Sequence, residues 1–369
     1  MNKCVTFRSL FYCLCSLVAV SLLLAAGNGL AASGGTAGSI TQVASTVPAN
    51  GDLNPYGIVV VPATVGNLTQ GNILVSNFNN SQNLQGTGTT IVQITPSGSV
   101  SLFAQIDAST LPGPCPGGVG LTTALAVLKS GWVIVGSLPT TDGTSATAQS
   151  GCLLVLSSTG QVAETFYGSL INGPWDMTWT DSSGQASLYF TNVLNGTVAG
   201  NGNLVYEGTV VRMDLAVGSQ TMPAIESMTV IGSGFPERTD PAALVIGPTG
   251  VGLHGGNLYV ADSLSNRIAV ISNASHRTSS GGIGRTLTSG GTLNDPLGLT
   301  VSPAGDVLST NGDDGYLVVT SPGGVQIFKT LLDSSGSPPG AGALFGITAP
   351  TSSTVYYVDD ATNTLNLFQ

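Results

Sequence analysis

The side chains that offer acid–base or metal-binding chemistry in this chain are mainly aspartates, because it has 19 Asp+Glu but only 2 His. Two adjacent pairs, Asp313-Asp314 and Asp359-Asp360, are the best candidates for holding a cation. Ca²⁺ is the candidate ion because it prefers oxygen ligands, although neither pair has the spacing of a calcium-binding loop. No Gly-x-Ser-x-Gly element, zinc-spaced cysteines or phosphate-binding loop occurs. The sequence therefore gives no direct sign of a serine nucleophile, a zinc centre or a nucleotide site.

A second group of side chains combines aromatic rings with one carboxylate. Trp175-Asp176 opens one of six similar segments, and Tyr56 and Phe345 lie at the openings of two others. When the six segments are aligned as the innermost strands of a ring, these side chains surround the mouth of its central channel. Asp176 is then the only carboxylate just inside the mouth. The rings suit stacking on a planar ligand, but aromatic side chains serve as plain packing about as often.

Composition excludes several classes of protein. With 9 Lys+Arg and a formal net charge of −10, the chain does not have the positive charge that nucleic-acid binding needs. Its 51 Gly and few strong helix formers argue against an all-α protein. A hydrophobic fraction of 42% is sufficient for a packed core, so the chain is not disordered.

Six copies of one pattern predict the architecture. Each copy has a turn with Pro or Gly, an apolar strand, a Gly or Ser turn and a second apolar strand, and most continue with two more. The copies begin near residues 54, 121, 173, 240, 294 and 342, a spacing typical of four-stranded propeller blades with insertions. We therefore predict an all-β chain, folded as a six-bladed β-propeller with four-stranded antiparallel blades, in one domain over residues 33–369. A β-sandwich or an open solenoid is the competing architecture.

The last copy is one strand short, because the chain ends soon after its third strand. Residues 40–47 form a spare strand of the right kind, and we predict that they complete the last blade from the N-terminal side. Both termini then share one sheet. This closure removes two sheet edges that would otherwise expose unpaired backbone groups.

One repeat resembles a known family. Residues 240–246, followed by Leu258-Tyr259-Val260-Ala261-Asp262 and Asn266-Arg267-Ile268, are similar to an NHL-type propeller repeat. Residues 294–328 match that pattern moderately, and the other repeats match only in outline. The resemblance implies the propeller fold over the chain after its first 32 residues, but it implies little about activity, because propellers host many unrelated functions.

The expected binding surface is the face where the loops between strands 2 and 3 and the connections between blades emerge. We call it the rim face, and loops on such a rigid scaffold are the default ligand site. Long 2–3 loops are predicted in blades 1 to 3, which would raise a wall on half of this face. Asp240, Asp262 and Asp295 map to the rim face together with most other aspartates, although aspartate also favours turns for its own backbone hydrogen bonds.

Two classes of function remain open. Propeller lactonases and esterases, which this architecture resembles, hold a divalent metal in their channel with Glu, Asn and Asp side chains. The opening strands of this chain supply no Glu, so the sequence favours a binding module, with a metal-dependent lactonase- or esterase-like hydrolase as the alternative. The expected partner is a small polar ligand, a glycan or a protein, and no cofactor is expected beyond a candidate Ca²⁺ or other divalent cation.

The first residues have the pattern of an export signal. Lys3 and Arg8 precede an apolar run over 10–26, and small residues follow at 29–33. We predict a signal peptide over 1–32, with a retained membrane anchor as the alternative. No later run approaches the ~20 apolar residues of a membrane-spanning helix. The protein is thus expected to be exported, to the periplasm or the extracellular space.

Signal removal would leave only two cysteines, Cys115 and Cys152. In an oxidising compartment two cysteines predict one disulfide, and two unpaired thiols are the alternative. Cys115 lies in the predicted connection into blade 2 and Cys152 ends the predicted long loop of that blade. The bond would therefore stiffen the wall of the rim face.

Overall fold

The computed structural model describes residues 38–182, 184–218 and 221–369, so the predicted signal peptide lies outside the described residues. Six antiparallel sheets follow one another along the chain, and their innermost strands contact one another in a closed ring. The prediction of a six-bladed propeller is confirmed.

Strands are numbered along the chain, and each blade runs from the channel outward. Blade 1 has β2 (Leu53–Val60), β3 (Ile73–Asn79), β4 (Thr90–Ile94) and β5 (Val100–Gln105). Blade 2 has β6 (Leu121–Val127), β7 (Val133–Ser137), β8 (Leu153–Leu156) and β9 (Val162–Phe166). Blade 3 has β10 (Pro174–Ser182), β11 (Gln185–Asn192), β12 (Val205–Ala216) and β13 (Ala224–Asp240), to which the short β14 (Leu244–Ile246) is added.

The second half of the ring continues in the same way. Blade 4 has β15 (Pro248–His254), β16 (Asn257–Asp262), β17 (Arg267–Ile271) and β18 (Arg285–Ser289). Blade 5 has β19 (Pro296–Val301), β20 (Val307–Asn311), β21 (Tyr316–Thr320) and β22 (Gln326–Leu331). Blade 6 has β23 (Leu344–Thr351), β24 (Thr354–Asp359), β25 (Thr364–Phe368) and β1 (Ile40–Ser45). The helical elements are α1 (Thr197–Gly200) and 3₁₀ turns at Ala108–Thr110, Ser145–Thr147, Ser263–Ser265 and Ala274–His276.

The ring closes through its termini, as the missing strand predicts. Strand β1 pairs antiparallel with β25, from Ile40 opposite Phe368 to Ser45 opposite Thr364. The backbone N–H of Thr46 extends the contact by donating to the carbonyl of Asn363 at 3.0 Å. The confirmed closure pairs the outer edge of β25 and completes blade 6 as a four-stranded sheet, so the backbone groups along that edge of β25 are not left without partners.

The inner strands of the blades are more deeply buried than the outermost strands. Strands β3, β4, β6 and β7 are buried along their whole length, because each blade packs between two neighbours. Their continuous apolar runs fit a sheet that is covered on both faces. The outermost strand β5 begins with three exposed residues, so the core lies around the channel and between the blades.

Blade 4 begins at Pro248, not near residue 240 as the repeat pattern predicts. Asp240 ends β13, and its Oδ1 accepts hydrogen bonds from the N–H groups of Ala242 (2.8 Å) and Ala243 (3.2 Å). This turn reverses the chain, and β14 then pairs back on Arg238–Asp240. The segment around 240 is therefore the end of blade 3, since a local side-chain turn formed where the pattern suggested a new blade.

A disulfide joins Cys115 and Cys152, whose Cα atoms lie 5.1 Å apart, and the predicted pairing is confirmed. It links the connection into blade 2 with the loop between β7 and β8. Across the described ranges, no helix is long and apolar enough to cross a lipid bilayer.

Candidate functional site

The three aromatic residues predicted at the channel mouth do come together on the axis. The rings of Tyr56 and Phe345 stack at 4.0 Å between centroids, and Trp175 lies 6.5 Å from Tyr56 and 6.3 Å from Phe345. Phe78 stacks on Tyr56 at 4.5 Å. Strand register places Phe345 at the level of Tyr56 and Trp175 rather than one residue further inside, because Leu344 pairs with Asp359 as Pro55 pairs with Asn77.

A lid closes the rim side of this aromatic cluster. Residues 241–247, which include β14, form the lid, and Leu244, Val245 and Ile246 belong to the same buried core as the aromatic rings. Tyr56, Trp175 and Phe345 are consequently at most 5% exposed. In this arrangement their ring faces pack against hydrocarbon and are not open to a ligand from the rim face.

The lid has a backbone feature that is rare outside glycine. Leu244 has φ of +62°, in the left-handed region that bulky side chains disfavour. Three ladder pairs with β13 hold the segment, and the side chain of Gln85 donates to the carbonyl of Pro241 at 3.3 Å. The strained leucine is thus kept in place by packing over the channel rather than by its own preference.

An axial cavity lies on the other side of the aromatic cluster. It encloses about 70 Å³ and is lined by Asp176, Thr123 and residues that continue along the inner strands, away from the rim face. Thr178, Thr300 and Thr348, at its far end, are partly exposed, so the cavity opens toward the opposite face. The channel is therefore closed at the rim and accessible from the other end.

Asp176 projects into this cavity because β10 carries a bulge between Pro174 and Met177, and bulges re-aim side chains. Its Oδ2 accepts a hydrogen bond from the backbone N–H of Val251 at 2.8 Å. Burial raises the pKa of Asp176 to about 8, and the backbone hydrogen bonds lower it only partly. The group is therefore mainly a neutral carboxylic acid at pH 7, able to donate a proton there and to accept one above pH 8.

On the rim face, Asp240, Asp295 and Asp313 gather around Arg238. Arg238 pairs with Asp240 at 2.9 Å. Burial, together with repulsion from Asp313 and Asp240, raises the pKa of Asp295 to about 7, while Arg238 acts in the opposite direction. We call these four residues the rim cluster; it has three carboxyl groups for one guanidinium.

Asp262 lies elsewhere and has a structural contact. It is fully buried in blade 4, and its Oδ2 accepts a hydrogen bond from Nε of Arg267 at 2.7 Å. The guanidinium of Arg267 pairs Oδ2 inside the blade, while Oδ1 is buried without a hydrogen-bond partner, so neither oxygen faces solvent. The geometry thus gives no support to the predicted ligand contact of Asp262.

Within each of the two aspartate pairs proposed for a cation, the neighbouring side chains have different surroundings. Asp314 accepts from the side chain of Asn311 at 2.9 Å, whereas its neighbour Asp313 belongs to the rim cluster. In blade 6, Asp359 accepts from the N–H of Thr362 at 3.0 Å. Burial and the charge of Asp359 raise the pKa of Asp360 to about 7.

The axial metal implied by the lactonase resemblance does not fit the residues present. Of the carboxyl groups in the described part of the chain, only Asp176 lines the axial cavity, and the next level toward the rim face holds the apolar rings of Tyr56, Trp175 and Phe345. Within residues 38–182, 184–218 and 221–369, no three His, Cys, Asp or Glu side chains are grouped to hold a metal ion.

Sequence reasoning missed one ionisable residue, Glu237 on β13. It is 0% exposed, and burial raises its pKa to about 8. Its Oε1 accepts a hydrogen bond from the backbone N–H of Asn195, in the loop between β11 and β12. Nothing in the local sequence marks it, because its burial depends on a loop some forty residues away that folds over it.

The fold and the axial cavity define a six-bladed propeller with a single inner carboxyl group. No protein-family model and no curated protein matches the chain. Solved structures match over most of its length. A gluconolactonase from Xanthomonas campestris is 13% identical, with 90% of this chain and 89% of that chain covered and a TM-score of 0.52.

Two further solved structures are similar to a comparable extent. The calcium-binding protein regucalcin from Agrobacterium tumefaciens is 11% identical, with 89% of this chain and 93% of that chain covered and a TM-score of 0.54. The PQQ-bound form of an aldose sugar dehydrogenase from Streptomyces coelicolor is 14% identical, with coverage of 90% and 98% and a TM-score of 0.53. At these identities the similarity shows the fold, and function must be argued from the site.

Proposed function

We propose that the protein hydrolyses a lactone or another ester at the axial cavity, with Asp176 as its acid–base group. The observation that carries the proposal is the buried Asp176 carboxyl group, which has a pKa raised to about 8 and faces a cavity that opens to one side. Perturbed carboxyl groups in cavities are typical of acid–base sites, although structural groups are perturbed too. The similar structures support this hydrolase, the alternative of the sequence analysis, better than a pure binding module, because they include a gluconolactonase.

Hydrolysis adds water across the ester C–O bond and yields an acid and an alcohol. In its neutral form Asp176 can give its proton to the leaving oxygen; in its ionised form it can take a proton from the attacking water. The N–H of Val251 holds Oδ2, which fixes the direction of the carboxyl group during either transfer. General acid–base catalysis of this kind contributes about 10²–10⁴-fold.

Cavity size limits the substrate. Most ligand pockets have about 300–1,000 Å³, whereas the axial cavity has about 70 Å³. Only the ester end of a substrate fits beside Asp176, and the remainder must lie outside the opposite face. We therefore expect small or slender esters and lactones to react faster than sugar-sized ones.

The test is a hydrolysis panel with an aldonolactone, an aromatic lactone and short aryl acetates, assayed from pH 5 to 9. Asp176→Asn should lower kcat/KM about a hundredfold or more, while the matched variant Asp306→Asn, a buried aspartate away from the axial cavity, should keep it. A base role predicts a rate that rises up to about pH 8, and an acid role predicts a fall above it. Absence of turnover for every class, or full activity of Asp176→Asn, overturns the proposal.

The rim cluster supports a second candidate function, binding of a polar or cationic ligand at the rim face. Its three carboxyl groups exceed its one guanidinium, and burial, with repulsion from Asp313 and Asp240, raises the pKa of Asp295. A cationic or hydroxyl-rich partner, such as a glycan or a basic protein segment, would relieve it. The test measures binding of the protein to oligosaccharide arrays and to basic peptides. Asp295→Asn should weaken this binding, whereas Asp107→Asn, at an exposed position, should leave it unchanged.

We also propose that the protein is exported to the periplasm or the extracellular space. The disulfide supports this, since such bonds persist mainly in oxidising compartments. Fractionation of producing cells, with mass spectrometry of the N-terminus, tests it: a chain that begins near residue 33 outside the cytoplasm is expected, and an intact N-terminus on a cytoplasmic protein would contradict it.

A further inference from the structure

The buried carboxyl group of Glu237 has a hydrogen-bond partner at only one of its two oxygens. Oε1 accepts the hydrogen bond from Asn195 at 3.0 Å, whereas Oε2 is buried and has no hydrogen-bond partner. Buried polar atoms without a partner are rare in folded proteins, and each one calls for an explanation such as an ion. The next residue, Arg238, does not help, because it pairs with Asp240 on the rim.

A second glutamate converges on the same place. Val205 on β12 pairs with Glu237, and Glu207 is two residues further along β12. Its negative charge contributes to the raised pKa of Glu237. A methyl group added at Gly196 would lie 3.1 Å from Oε2 of Glu207, so the second carboxylate rests against the residue that follows Asn195.

Amide groups complete the surroundings. The side-chain nitrogen of Asn172, in the connection from blade 2, donates to the side-chain oxygen of Asn195. The side-chain oxygen of Asn172 is buried and also has no hydrogen-bond partner. Hydrogen bonds thus link Glu237, Asn195 and Asn172, and Glu207 lies beside the same loop, so four segments of the chain meet here. Two of the buried oxygens in this network have no partner.

We propose that this network is a calcium site, with Glu237, Glu207 and Asn172 as its side-chain ligands. All donors are oxygens, and Ca²⁺ takes six to eight oxygen ligands in flexible geometry. Zinc and softer ions are disfavoured because no nitrogen or sulfur ligand is among them. The ion would tie the loop between β11 and β12 to β12, β13 and the connection from blade 2 to blade 3, as the disulfide ties the loop between β7 and β8 to the connection into blade 2.

The site lies on blade 3 and is distinct from the axial cavity, so it extends beyond the proposed hydrolysis and is tested without an activity assay. Protein treated with EDTA and then dialysed free of it is titrated with CaCl₂ and with MgCl₂ by calorimetry at pH 7. One Ca²⁺ per chain is expected, bound at least tenfold more tightly than Mg²⁺.

Three variants locate the site. Glu237→Gln should abolish binding, and Glu207→Gln, at an exposed residue that leaves folding intact, should weaken it at least tenfold. Glu226→Gln, the same change at an exposed position of β13, should bind as the parent protein does. Absence of calcium binding at millimolar concentration overturns the proposal, and so does tight binding that survives Glu207→Gln, which would place the ion elsewhere.

Discussion

Replacement of Asp176 by Asn should stabilise the protein at alkaline pH and leave its stability near pH 4 almost unchanged. In the unfolded chain the carboxyl group titrates near its ordinary pKa of 3.8, whereas in the folded protein burial raises the pKa to about 8. Between these values the folded state holds a proton that the unfolded state has lost. Folding stability therefore decreases as pH rises through this window and levels off above pH 8.

The magnitude follows from the width of the window. Each unit of pKa difference corresponds to about 1.4 kcal/mol, so the window of about four units costs at most about 6 kcal/mol above pH 8 and about 4 kcal/mol at pH 7. These figures are upper bounds, because water in the cavity can solvate the ionised group. Against a total stability of about 5–15 kcal/mol for typical domains, the effect is easily measured.

Urea unfolding of both proteins at pH 5, 7 and 9 provides the measurement, and the quantity of interest is the difference between their free energies of unfolding. Glu237, Asp295 and Asp360 also have raised pKa values, but their contributions are common to both proteins and cancel. Asp107→Asn is the control. Hydrogen bonds from Ser109 lower the pKa of that exposed group, so it does not titrate between pH 5 and 9 and its replacement should give the same difference at all three pH values. A difference between parent and Asp176→Asn that stays constant from pH 5 to 9 refutes the reasoning.

Three further predictions concern the scaffold. Replacement of Cys115 and Cys152 by Ser should lower the free energy of unfolding by about 4 kcal/mol, from the chain entropy of a 37-residue separation, and reduction of the parent protein should reproduce the loss in denaturant titrations. Deletion of residues 38–47 should expose β25 and make blade 6 the first region to lose amide protection in hydrogen exchange; uniform protection would contradict the closure. Arg267→Met should cost about 3–5 kcal/mol, because it leaves Asp262 buried without its partner, and Asp262→Asn in the same background should recover part of the loss in thermal melts.

The number of blades and the closure of the ring could be predicted because both depend on short patterns that can be recognised one after another along the chain. Each blade repeats its own turns and apolar strands, so counting repeats counts blades. The missing strand of the last repeat and the spare segment at 40–47 are likewise read directly along the chain. The disulfide followed from arithmetic, since only Cys115 and Cys152 remain once the first segment is set aside.

The predicted start of blade 4 was wrong because a blade opening and the lid have the same sequence pattern. A turn at Asp240-Pro241 followed by an apolar run describes a propeller opening, and it describes the lid equally well. The distinguishing signal was present: Pro248-Thr249-Gly250 repeats the Pro-x-Gly spacing of Pro55-Tyr56-Gly57 and Pro296-Leu297-Gly298. The choice between the two depends on hydrogen bonds from Ala242 and Ala243 to Asp240, which composition does not reveal.

The surroundings of the candidate site residues depend on contacts between distant parts of the chain. The channel level of Trp175 could be predicted from the repeats, but the lid over the aromatic cluster could not, because its sequence resembles a strand of the next blade. Glu237 gives the same lesson, since a loop from another part of blade 3 buries it. Sequence periodicity thus predicts the strand and the level at which a side chain lies, while packing between distant parts of the chain decides whether solvent or a ligand reaches it.

Packing of the propeller does not explain why Asp176 is present. At the same level of the other inner strands the chain has Thr123, Gly57, Gly250, Gly298 and Gly346, so small residues suffice to build the ring. A carboxyl group at this point makes the fold less stable as pH rises from about 4 to 8, because burial disfavours its ionised form. Among the described residues, Asp176 is the carboxyl group that lines the axial cavity, which admits solvent from the opposite face. Its Oδ2 accepts the N–H of Val251, but a neutral side-chain oxygen could accept that bond without the pH-dependent loss, so the proposed proton transfer explains the choice of an acid better than architecture does.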